Sequence, residues 1–364
     1  MDASKHRKNV RMSLFGGAGF GLMMLVLSVF LVAVTSGTAA TSSPSKTQAE
    51  DLFVAYVDGS CGNSWRTHVR AEIEDEASKH PEIKKFVYKC AQGKLNQGIS
   101  AIQALTAQGA DIIVVISDWG KPLLPTIRAA YRKGVTVVPW DIPVGGKAGK
   151  DYTAYVGFSV ADQAKLYADY MIKKLKGKGN VVGVGGPAGN DYDKGHMDVM
   201  KAVFAKKAPG IKFLEFAPAD WAPAPAAKAT ATLLSKYPQI DAVLAPEATT
   251  VKPILDQFIA AGRPLPVITS LDVNGMMGAF PALKKKSPSL SWGFVSALTW
   301  GVRNALLVGL QANDKKPINK NLLLLKNYIS DCQTTCKKLY KKSLPADYIP
   351  TSKVPAAKMK KALG

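Results

Sequence analysis

Short apolar runs alternate with longer stretches in which apolar residues recur every three or four positions, from about residue 52 to about residue 311. The short runs are typical of buried strands, and the longer stretches are typical of amphipathic helices. This rhythm predicts parallel sheets that are covered by helices on both faces. The predicted strands are 52–57, 85–90, 111–117, 135–140, 181–184, 212–216, 242–245 and 266–271, and the predicted helices are 64–79, 95–108, 123–133, 161–174, 193–207, 226–236 and 251–261.

The rhythm falls into two blocks that have the same order of elements and similar lengths. Two such blocks exceed what one open sheet usually holds, so we expect an α/β protein of two doubly wound parallel-sheet lobes. In open α/β sheets a ligand sits beyond the carboxyl ends of the strands, where loops and helix N-termini meet. The cleft between the two lobes is therefore the expected binding site.

The first forty residues differ from the rest of the chain. Four basic residues before residue 12 precede an apolar run over residues 14–34, and small residues follow at 36–40. This layout is typical of a secretory signal and favours cleavage after Ala40, with a polar linker over 41–50. A retained membrane anchor stays open as the alternative, because the run approaches the roughly 20 residues that span a bilayer. In either case we expect a periplasmic location for the folded part.

The formal net charge of +21 makes the chain strongly basic. The lysines are spread over many predicted helices and are dense in the last forty residues, so we interpret most of them as solvated faces. No DNA-reading module accompanies them, and we expect no nucleic-acid partner. Attraction to an anionic membrane or envelope polymer stays open.

The four cysteines belong to a chain with an export signal, and disulfides persist outside the cytoplasm. Cys61 and Cys90 each follow or end a predicted strand, so a bridge between neighbouring strand ends is geometrically reasonable. Cys332 and Cys336 can close a small C-terminal loop. The C-x3-C spacing without a histidine pair is not typical of a zinc site, so we predict structural disulfides and neither a metal nor a cofactor.

Five of the six tryptophans fall at or near the ends of predicted strands. Indoles around one cleft can stack on the apolar faces of a sugar ring while its hydroxyls reach polar partners, although tryptophan is more usually packed in a core. We favour Trp65 and Trp221 as stacking residues, ahead of Trp119, Trp140 and Trp292.

Polar side chains follow the same strand ends. Carboxylates accept paired hydrogen bonds from adjacent hydroxyls, and Asn or Arg donate to ring and hydroxyl oxygens. Each of these residues is also a candidate helix cap, and this alternative is strongest for Asp272. The candidate polar ligands are Asn63, Arg66, Asp118, Asp141, Glu247 and Asp272.

In order and spacing, seven segments within residues 52–330 resemble the periplasmic sugar-binding proteins of the ribose-binding type, which feed ATP-driven importers. In that family, residues at positions that match Asn63, Trp65, Asp141, Trp221 and Asp272 contact the sugar. The segments are GNSWR at 62–66, QGADIIVVISD at 108–118, GVTVVPWD at 134–141, YVGFSVADQAK at 155–165, GKGNVVGVGGPAGN at 177–190, ADW at 219–221 and DAVLAPE at 241–247.

The resemblance implies a type I periplasmic binding protein fold, a hinge crossed three times and closure of the lobes around the ligand. The crossings match positions near Gly157, Val295 and Lys326, and helix 297–310 returns to the first lobe. The implied domains are 51–157 with 296–325 for lobe 1, 158–295 with 326–345 for lobe 2, and a basic tail over 346–364. The stretch 337–364, which is rich in Lys and Pro, is expected to be an irregular wrap or a mobile end.

The chain departs from the family where the ligand is read. Ile142 stands where an Arg is frequent, and His196 stands near the position of a second Arg. Glu247 and Ala248 replace an Asn-Asp pair, and the Gln near the third-crossing strand corresponds to Val295 or Ser296. The resemblance therefore implies a small polyhydroxylated ligand, with His196 as a further candidate contact, and leaves its identity open.

The expected function is that of a monomeric, non-enzymatic solute-binding protein that delivers a neutral sugar or polyol to the permease of an ABC importer. A sensor that presents its closed form to a chemoreceptor or kinase stays open. An exported dinucleotide-dependent enzyme is disfavoured, because GVGGPAG at 183–189 lacks the full fingerprint spacing and its acidic partner. A transcription regulator is disfavoured because no helix-turn-helix precedes residue 50.

Overall fold

The computed structural model describes residues 51–324 and 328–364. The predicted export signal at 1–40 and the linker at 41–50 lie outside these residues. Among the residues that are described, no helix combines the length and the apolar character needed to cross a bilayer.

The strands largely follow the predicted apolar runs, with short additional strands near the lobe crossings. In the described part of the chain they are β1 (Leu52–Asp58), β2 (Ile83–Cys90), β3 (Ile112–Ile116), β4 (Thr136–Asp141), β5 (Tyr155–Gly157), β6 (Lys178–Gly185), β7 (Gly210–Pro218), β8 (Ala242–Leu244), β9 (Val267–Leu271), β10 (Ser291–Val295), β11 (Asn321–Leu323) and β12 (Ser330–Asp331).

The helices begin after most of these strands. They are α1 (Ser64–Ala77), α2 (Leu95–Ala107), α3 (Leu124–Arg132), α4 (Val160–Leu175), α5 (Asp191–Lys207), α6 (Pro223–Lys236), α7 (Val251–Ala260), α8 (Asn274–Lys286), α9 (Gly301–Asn313), α10 (Cys332–Leu339) and α11 (Ala356–Ala362), with 3-10 turns at Lys121–Leu123 and Ala248–Thr250.

The strands form two six-stranded sheets. The first has the order β11-β5-β4-β3-β1-β2 and is parallel throughout, and the second has the order β12-β10-β9-β8-β6-β7 with β12 antiparallel to β10. The predicted class, two parallel-sheet α/β lobes, is confirmed. The exact domain boundaries stay predictions.

The central strands, such as β1 and β3, are buried and apolar on both faces because helices cover both sides of each sheet, whereas the edge strands β2 and β7 are partly exposed. In β1, Val54 and Tyr56 belong to an apolar cluster shared with α9, whereas Ala55 and Val57 belong to a cluster shared with α2 and α3. This packing of helices on both faces of each sheet fixes the carboxyl ends of the central strands at one edge of each lobe. The loops at these edges carry the candidate site.

The chain passes between the lobes after β5, after β10 and after β11. The predicted third crossing at Lys326 lies outside the described residues. The helix expected from Ala297 begins instead at Gly301. Leu298 adopts a left-handed φ of 53° and the Ala297 N–H donates to Asp272 Oδ1 at 2.6 Å, so residues 296–300 form a hinge loop before the helix.

The last residues, 340–364 (the C-terminal segment), are packed and not a mobile end. Tyr348, Val354 and Met359 are buried in a small cluster that includes Ala71 of α1. The Thr351 N–H donates to Asp272 in the second lobe at 3.0 Å, and the Ser352 hydroxyl donates to Glu72 in the first lobe at 2.8 Å. The segment therefore contacts both lobes behind the hinge loop.

Both predicted disulfides are present. Cys61 and Cys90 join the loop after β1 to the end of β2, and Cys332 and Cys336 lie in α10. The first bridge restrains the loop that leads into α1, whose first turn carries several site residues.

Candidate ligand cavity between the lobes

A cavity of about 630 Å³, counting space that is open to solvent, lies between the two lobes. Its walls follow the carboxyl ends of strands in both sheets, as expected for open α/β sheets. The first lobe contributes Asn63, Trp65, Arg66, Asp141 and Ile142; the second contributes Phe158, Gln163, Tyr192, Trp221, Pro246, Glu247 and Leu271; the hinge loop contributes Ser296, Ala297 and Leu298.

Six of the ten residues proposed from the sequence line this cavity, and four do not. Asp118, Trp119, His196 and Asp272 lie outside its lining. The six in the lining are Asn63, Trp65, Arg66, Asp141, Trp221 and Glu247.

Arg66 lies between two carboxylates on the first-lobe side of the cavity. Its Nη1 donates to Asp58 Oδ1 at 2.7 Å, and its Nη2 donates to Asp118 Oδ1. Burial raises the pKa of Asp58 to about 6 although the Arg66 charge opposes the shift. Burial works against the charged form of Arg66, but the charges of Asp118 and Asp58 raise its pKa. Asp118 therefore pairs with Arg66 on the side away from the cavity and does not line the cavity.

Asp141 ends β4 and presents a carboxylate that has no hydrogen-bond partner within residues 51–324 and 328–364. Its backbone adopts a φ of 65°, and its carbonyl accepts a 2.6 Å hydrogen bond from the Tyr155 hydroxyl. Burial raises the pKa of Asp141 to about 7; Arg66 lowers it and Asp118 raises it further. Water reaches this side chain from the cavity, so a ligand there would supply its missing partners.

Two candidate residues are helix caps as well as cavity walls. Asn63 Oδ1 accepts from the Arg66 N–H at 2.8 Å and caps α1, which leaves its amide nitrogen without a partner among the described residues. Glu247 Oε1 accepts from the Thr249 N–H at 3.2 Å and from the Thr249 hydroxyl at 2.9 Å. Capping and ligand contact are therefore compatible at both positions, because each side chain keeps a second polar atom.

Trp65 is fixed from two directions. Its ring stacks on the buried Trp140 with centroids 5.8 Å apart and an angle of 7°, and its Nε1–H donates to the Ala297 carbonyl of the hinge loop at 2.9 Å. The Arg66 guanidinium lies 5.0 Å from the Trp65 ring centroid. Trp140 is thus a packing residue that supports a cavity indole.

Trp221 reaches the cavity from the loop after β7, with a φ of 48°. Its indole lies directly on the backbone of Gly186, where any Cβ would overlap the ring. Gly183 and Gly185, in the same run, are equally close to Phe216. Packing therefore accounts for three of the four glycines of GVGGPAG, which carried the weak dinucleotide signal, and the fourth, Gly189, has a positive φ of 78°.

The remaining predictions outside the lining have clear structural roles. Asp272 is fully buried, accepts from Ala297 and Thr351 N–H groups and so ties the hinge loop to the C-terminal segment. The Trp119 Nε1–H donates to the Gly93 carbonyl at 3.1 Å, and its ring lies against Gly98. Trp292 is buried in the second lobe and donates to Ser270 Oγ at 2.7 Å.

His196 lies one layer behind the cavity, among residues that sequence reasoning did not single out. Its Nδ1 is 2.9 Å from the Tyr192 carbonyl, and its Nε2 is 3.0 Å from the side-chain amide of Gln163. Burial lowers the pKa of His196 to about 4. Phe158 and Gln163 lie in the segment YVGFSVADQAK, which was recognised only as a pattern, and Tyr192 follows a strand end as the predicted residues do.

The fold and this cavity define a two-lobed binding protein, and the chain belongs to the family of periplasmic binding protein domains, whose model matches residues 54–286. The family consists of binding proteins that act outside the cytoplasm. A xylitol-binding protein from Mycolicibacterium smegmatis is 27% identical over 194 residues, which are 52% of this chain and 53% of that protein. The matched region thus spans about half the length of that relative.

Solved structures share the fold. The fructose-binding periplasmic domain of a hybrid two-component system has a TM-score of 0.68 at 23% identity, covering 79% of this chain and 92% of that domain. The Caulobacter myo-inositol binding protein has a TM-score of 0.67 at 19% identity, covering 78% and 94% respectively. A solute-binding protein of an ABC transporter from Actinobacillus succinogenes, bound to D-allose, has a TM-score of 0.66 at 19% identity, covering 79% and 99%.

Proposed function

We propose that the protein captures a neutral sugar or polyol between its lobes and delivers it to the permease of an ABC importer. The observation that carries this proposal is the presence in one cavity of an indole from each lobe, Trp65 and Trp221, and of the Asp141 carboxylate, which has no hydrogen-bond partner in the described part of the chain. Indoles stack on the apolar faces of a polyhydroxylated ligand, and a carboxylate accepts paired hydrogen bonds from adjacent hydroxyls.

The charges around the cavity favour a neutral ligand and disfavour an anion. Arg66 is matched by Asp58 and Asp118, so the cavity side retains Asp141 and Glu247 as uncompensated acids. A phosphate or carboxylate would face these groups with no free cation among the described lining residues. A polyol or an amino sugar meets no such repulsion.

The relatives support the same class of ligand. The xylitol-binding relative is named for a polyol, and the structural neighbours are described with fructose, myo-inositol and D-allose. One of these neighbours belongs to a two-component system, so presentation of the closed form to a sensor is the second candidate output. Co-purification of the loaded protein with a permease or with a sensor kinase distinguishes the two.

Location in the periplasm, cleavage after Ala40 and a monomeric state belong to this proposal. N-terminal sequencing of the exported protein tests cleavage, and an uncleaved, membrane-associated protein would favour the anchor. Light scattering of the purified protein tests the monomer.

A thermal-shift screen is the direct test of the ligand class. We expect xylitol, myo-inositol or a related polyol or sugar to raise the melting temperature, because a ligand that binds only the native state stabilises it. Glucose 6-phosphate, which carries an anionic group, should not. A clear shift with an unrelated class of molecule and none with any sugar or polyol would overturn the proposal.

A matched pair of variants locates the binding site. Trp221→Ala removes a cavity indole and should weaken binding of the polyol identified in the screen by about 2 kcal/mol or more, as for buried aromatic anchors. Trp119→Ala removes an indole that lies outside the cavity lining and is turned toward Gly93, so it should leave affinity unchanged. Calorimetric titration of both variants measures this difference, and equal affinities would place the site elsewhere.

A further inference from the structure

In the second-lobe wall of the cavity, three side chains meet at a single atom. One terminal atom of the Gln163 amide lies 3.0 Å from the Tyr192 hydroxyl oxygen and 3.0 Å from His196 Nε2. Gln163, which is buried, and Tyr192, which is half-buried, line the cavity, and His196 is buried behind them. The identity of that amide atom, oxygen or nitrogen, decides which way the Tyr192 hydroxyl points its proton.

The hydrogen bond at the other ring nitrogen of His196, Nδ1, determines which amide atom of Gln163 this is. His196 Nδ1 lies 2.9 Å from the Tyr192 backbone carbonyl, which can only accept, so Nδ1 carries a proton. A neutral imidazole has one N–H, and no carboxylate among residues 51–324 and 328–364 hydrogen-bonds to His196 to favour a second proton. Two aromatic rings pack against His196: the phenol of Tyr167 on the neighbouring helix α4 and the phenol of Tyr192 on α5, the helix that carries His196. Nε2 is therefore a lone-pair acceptor.

An acceptor requires a donor opposite it, and only the amide nitrogen of Gln163 is a donor. We propose that His196 holds the Gln163 amide with its nitrogen toward both His196 and Tyr192, so that the Tyr192 hydroxyl donates its proton to a ligand in the cavity. His196 is then a positioning residue, and Tyr192 is a specificity-determining donor at the ligand.

The remaining neighbour of the amide is compatible with this orientation. The Tyr167 hydroxyl, which donates to the Ser270 carbonyl at 3.0 Å, also neighbours Gln163. A hydroxyl can rotate its proton toward either oxygen, whereas the His196 ring is fixed by its Nδ1 contact. The rigid partner therefore sets the orientation of the amide.

The proposed orientation of the Gln163 amide determines which hydrogen-bonding groups the cavity offers to a ligand. The carboxylates of Asp141 and Glu247 line the cavity as acceptors, and Tyr192 adds a donor to the second-lobe wall. Burial, together with neighbouring charges that include Asp141 and Glu247, raises the pKa of the Tyr192 phenol, so it keeps its proton. A polyol hydroxyl that donates to a carboxylate and accepts from Tyr192 satisfies both walls; this step rests on the proposed function.

Histidine ¹⁵N NMR tests the tautomer on the unliganded full chain. We expect His196 at pH 7 to be neutral with its proton on Nδ1. His68 is an internal reference with the same expected tautomer, because the Ile349 N–H donates to its Nε2 at 3.0 Å. The chain has four histidines, and the variants His196→Asn and His68→Asn each remove one signal, which assigns the His196 and His68 signals. A proton on Nε2 of His196, as imidazolium or as the other tautomer, overturns the proposal.

Binding of xylitol tests the consequence. Tyr192→Phe should weaken xylitol binding about 3- to 10-fold, the value of one net hydrogen bond, whereas Tyr237→Phe, a tyrosine outside the lining, should not. In His196→Gln the new side-chain amide can donate to Gln163, which lets the Gln163 oxygen face Tyr192 and accept its proton. This variant should therefore weaken xylitol binding by a similar factor, and the double variant with Tyr192→Phe should bind no more weakly than Tyr192→Phe alone. Additive losses, or full affinity in Tyr192→Phe, contradict the proposal. Failure of wild-type protein to bind any polyol rejects the proposed function and leaves the NMR result to decide the tautomer.

Discussion

At the scale of single residues, backbone strain is concentrated around the cavity. Seven non-glycine residues have positive φ in the described part of the chain. Three of them, Asp141, Trp221 and Leu298, line the cavity, and Asp220 precedes Trp221. Such conformations cost of order 1 kcal/mol or more each and persist where surrounding structure enforces them. The cavity walls are therefore held in place before any ligand arrives.

Strand-end reasoning found the neighbourhood of the site but not the direction of every side chain. Asp141 and Asp272 both follow strands; one carboxylate faces the cavity, and the other is turned back onto two backbone N–H groups. Trp119 is likewise turned toward Gly93. Asp272 is turned by the hinge loop and the C-terminal segment, and Trp119 is turned by contacts with Gly93 and Gly98. These partners come from distant parts of the chain, so no local pattern contains them.

Asp141 should make the unliganded protein less stable as the pH rises. Burial raises its pKa to about 7 in the folded protein, against 3.8 for an aspartate carboxyl group in water, so the folded state holds the proton more tightly. Stability from this group is therefore fully present below pH about 4 and is lost as pH rises to about 7. Asp141→Asn removes this contribution to the pH dependence of stability. The melting temperature of the variant, relative to that of the wild type at the same pH, should therefore rise between pH 4 and pH 7.

The same variant should bind the polyol ligand more weakly, because it replaces an ionised acceptor with a neutral amide. Asp256→Asn, which alters an exposed carboxylate paired with Lys252, is the matched control. Melting temperatures measured from pH 4 to pH 8 on all three proteins separate the contributions; the declines caused by Asp58 and Asp272, whose pKa values are raised to about 6, remain in each. Parallel curves for wild type and Asp141→Asn would show that Asp141 is not the titrating group.

At the scale of elements, long periodic segments were predictable, whereas of the three-residue strands only β8 was predicted. Strands β5 and β11 have three residues each, too few to show a period. The acidic run in α1 was also uninformative, since in sequence it is typical of a solvated face. In the structure Glu72 is fully buried and meets Arg303 of α9, which also pairs with Asp75 at 2.8 Å and Glu76 at 2.7 Å.

Breaking this cluster should destabilise the first lobe. Arg303→Ala leaves the buried Glu72 carboxylate without its cation, which typically costs about 3–5 kcal/mol. Arg70→Ala on the same helix removes an exposed pair with Glu74 and should cost about 0–1 kcal/mol. Urea unfolding gives both free energies. Similar small losses in the two variants would mean that the apolar contacts between α1 and α9 suffice without the ion pairs.

At the scale of the whole molecule, adjacent residues of the C-terminal segment hold opposite lobes. Thr351 bonds to Asp272 of the second lobe, and Ser352 and Lys353 bond to Glu72 of the first. Consecutive Cα atoms are about 3.8 Å apart, so these attachment points stay together as long as both sets of hydrogen bonds persist. We therefore expect a hinge motion that keeps these bonds to pivot close to this point, and we expect the segment to limit how far the cavity opens.

Truncation tests this limit. Removing residues 351–364 releases both attachments, and we expect the unliganded protein to open wider, with a larger radius of gyration by small-angle X-ray scattering. Its apparent polyol affinity should fall, because the closed form becomes a smaller fraction of the population. Removing only residues 354–364 keeps Thr351, Ser352 and Lys353 and serves as the control for loss of α11. Saturating polyol should return all three proteins to the same compact radius, since the closed state is held by the ligand and not by the segment. Equal unliganded radii in the two truncations would locate the limit on opening in the crossing strands themselves.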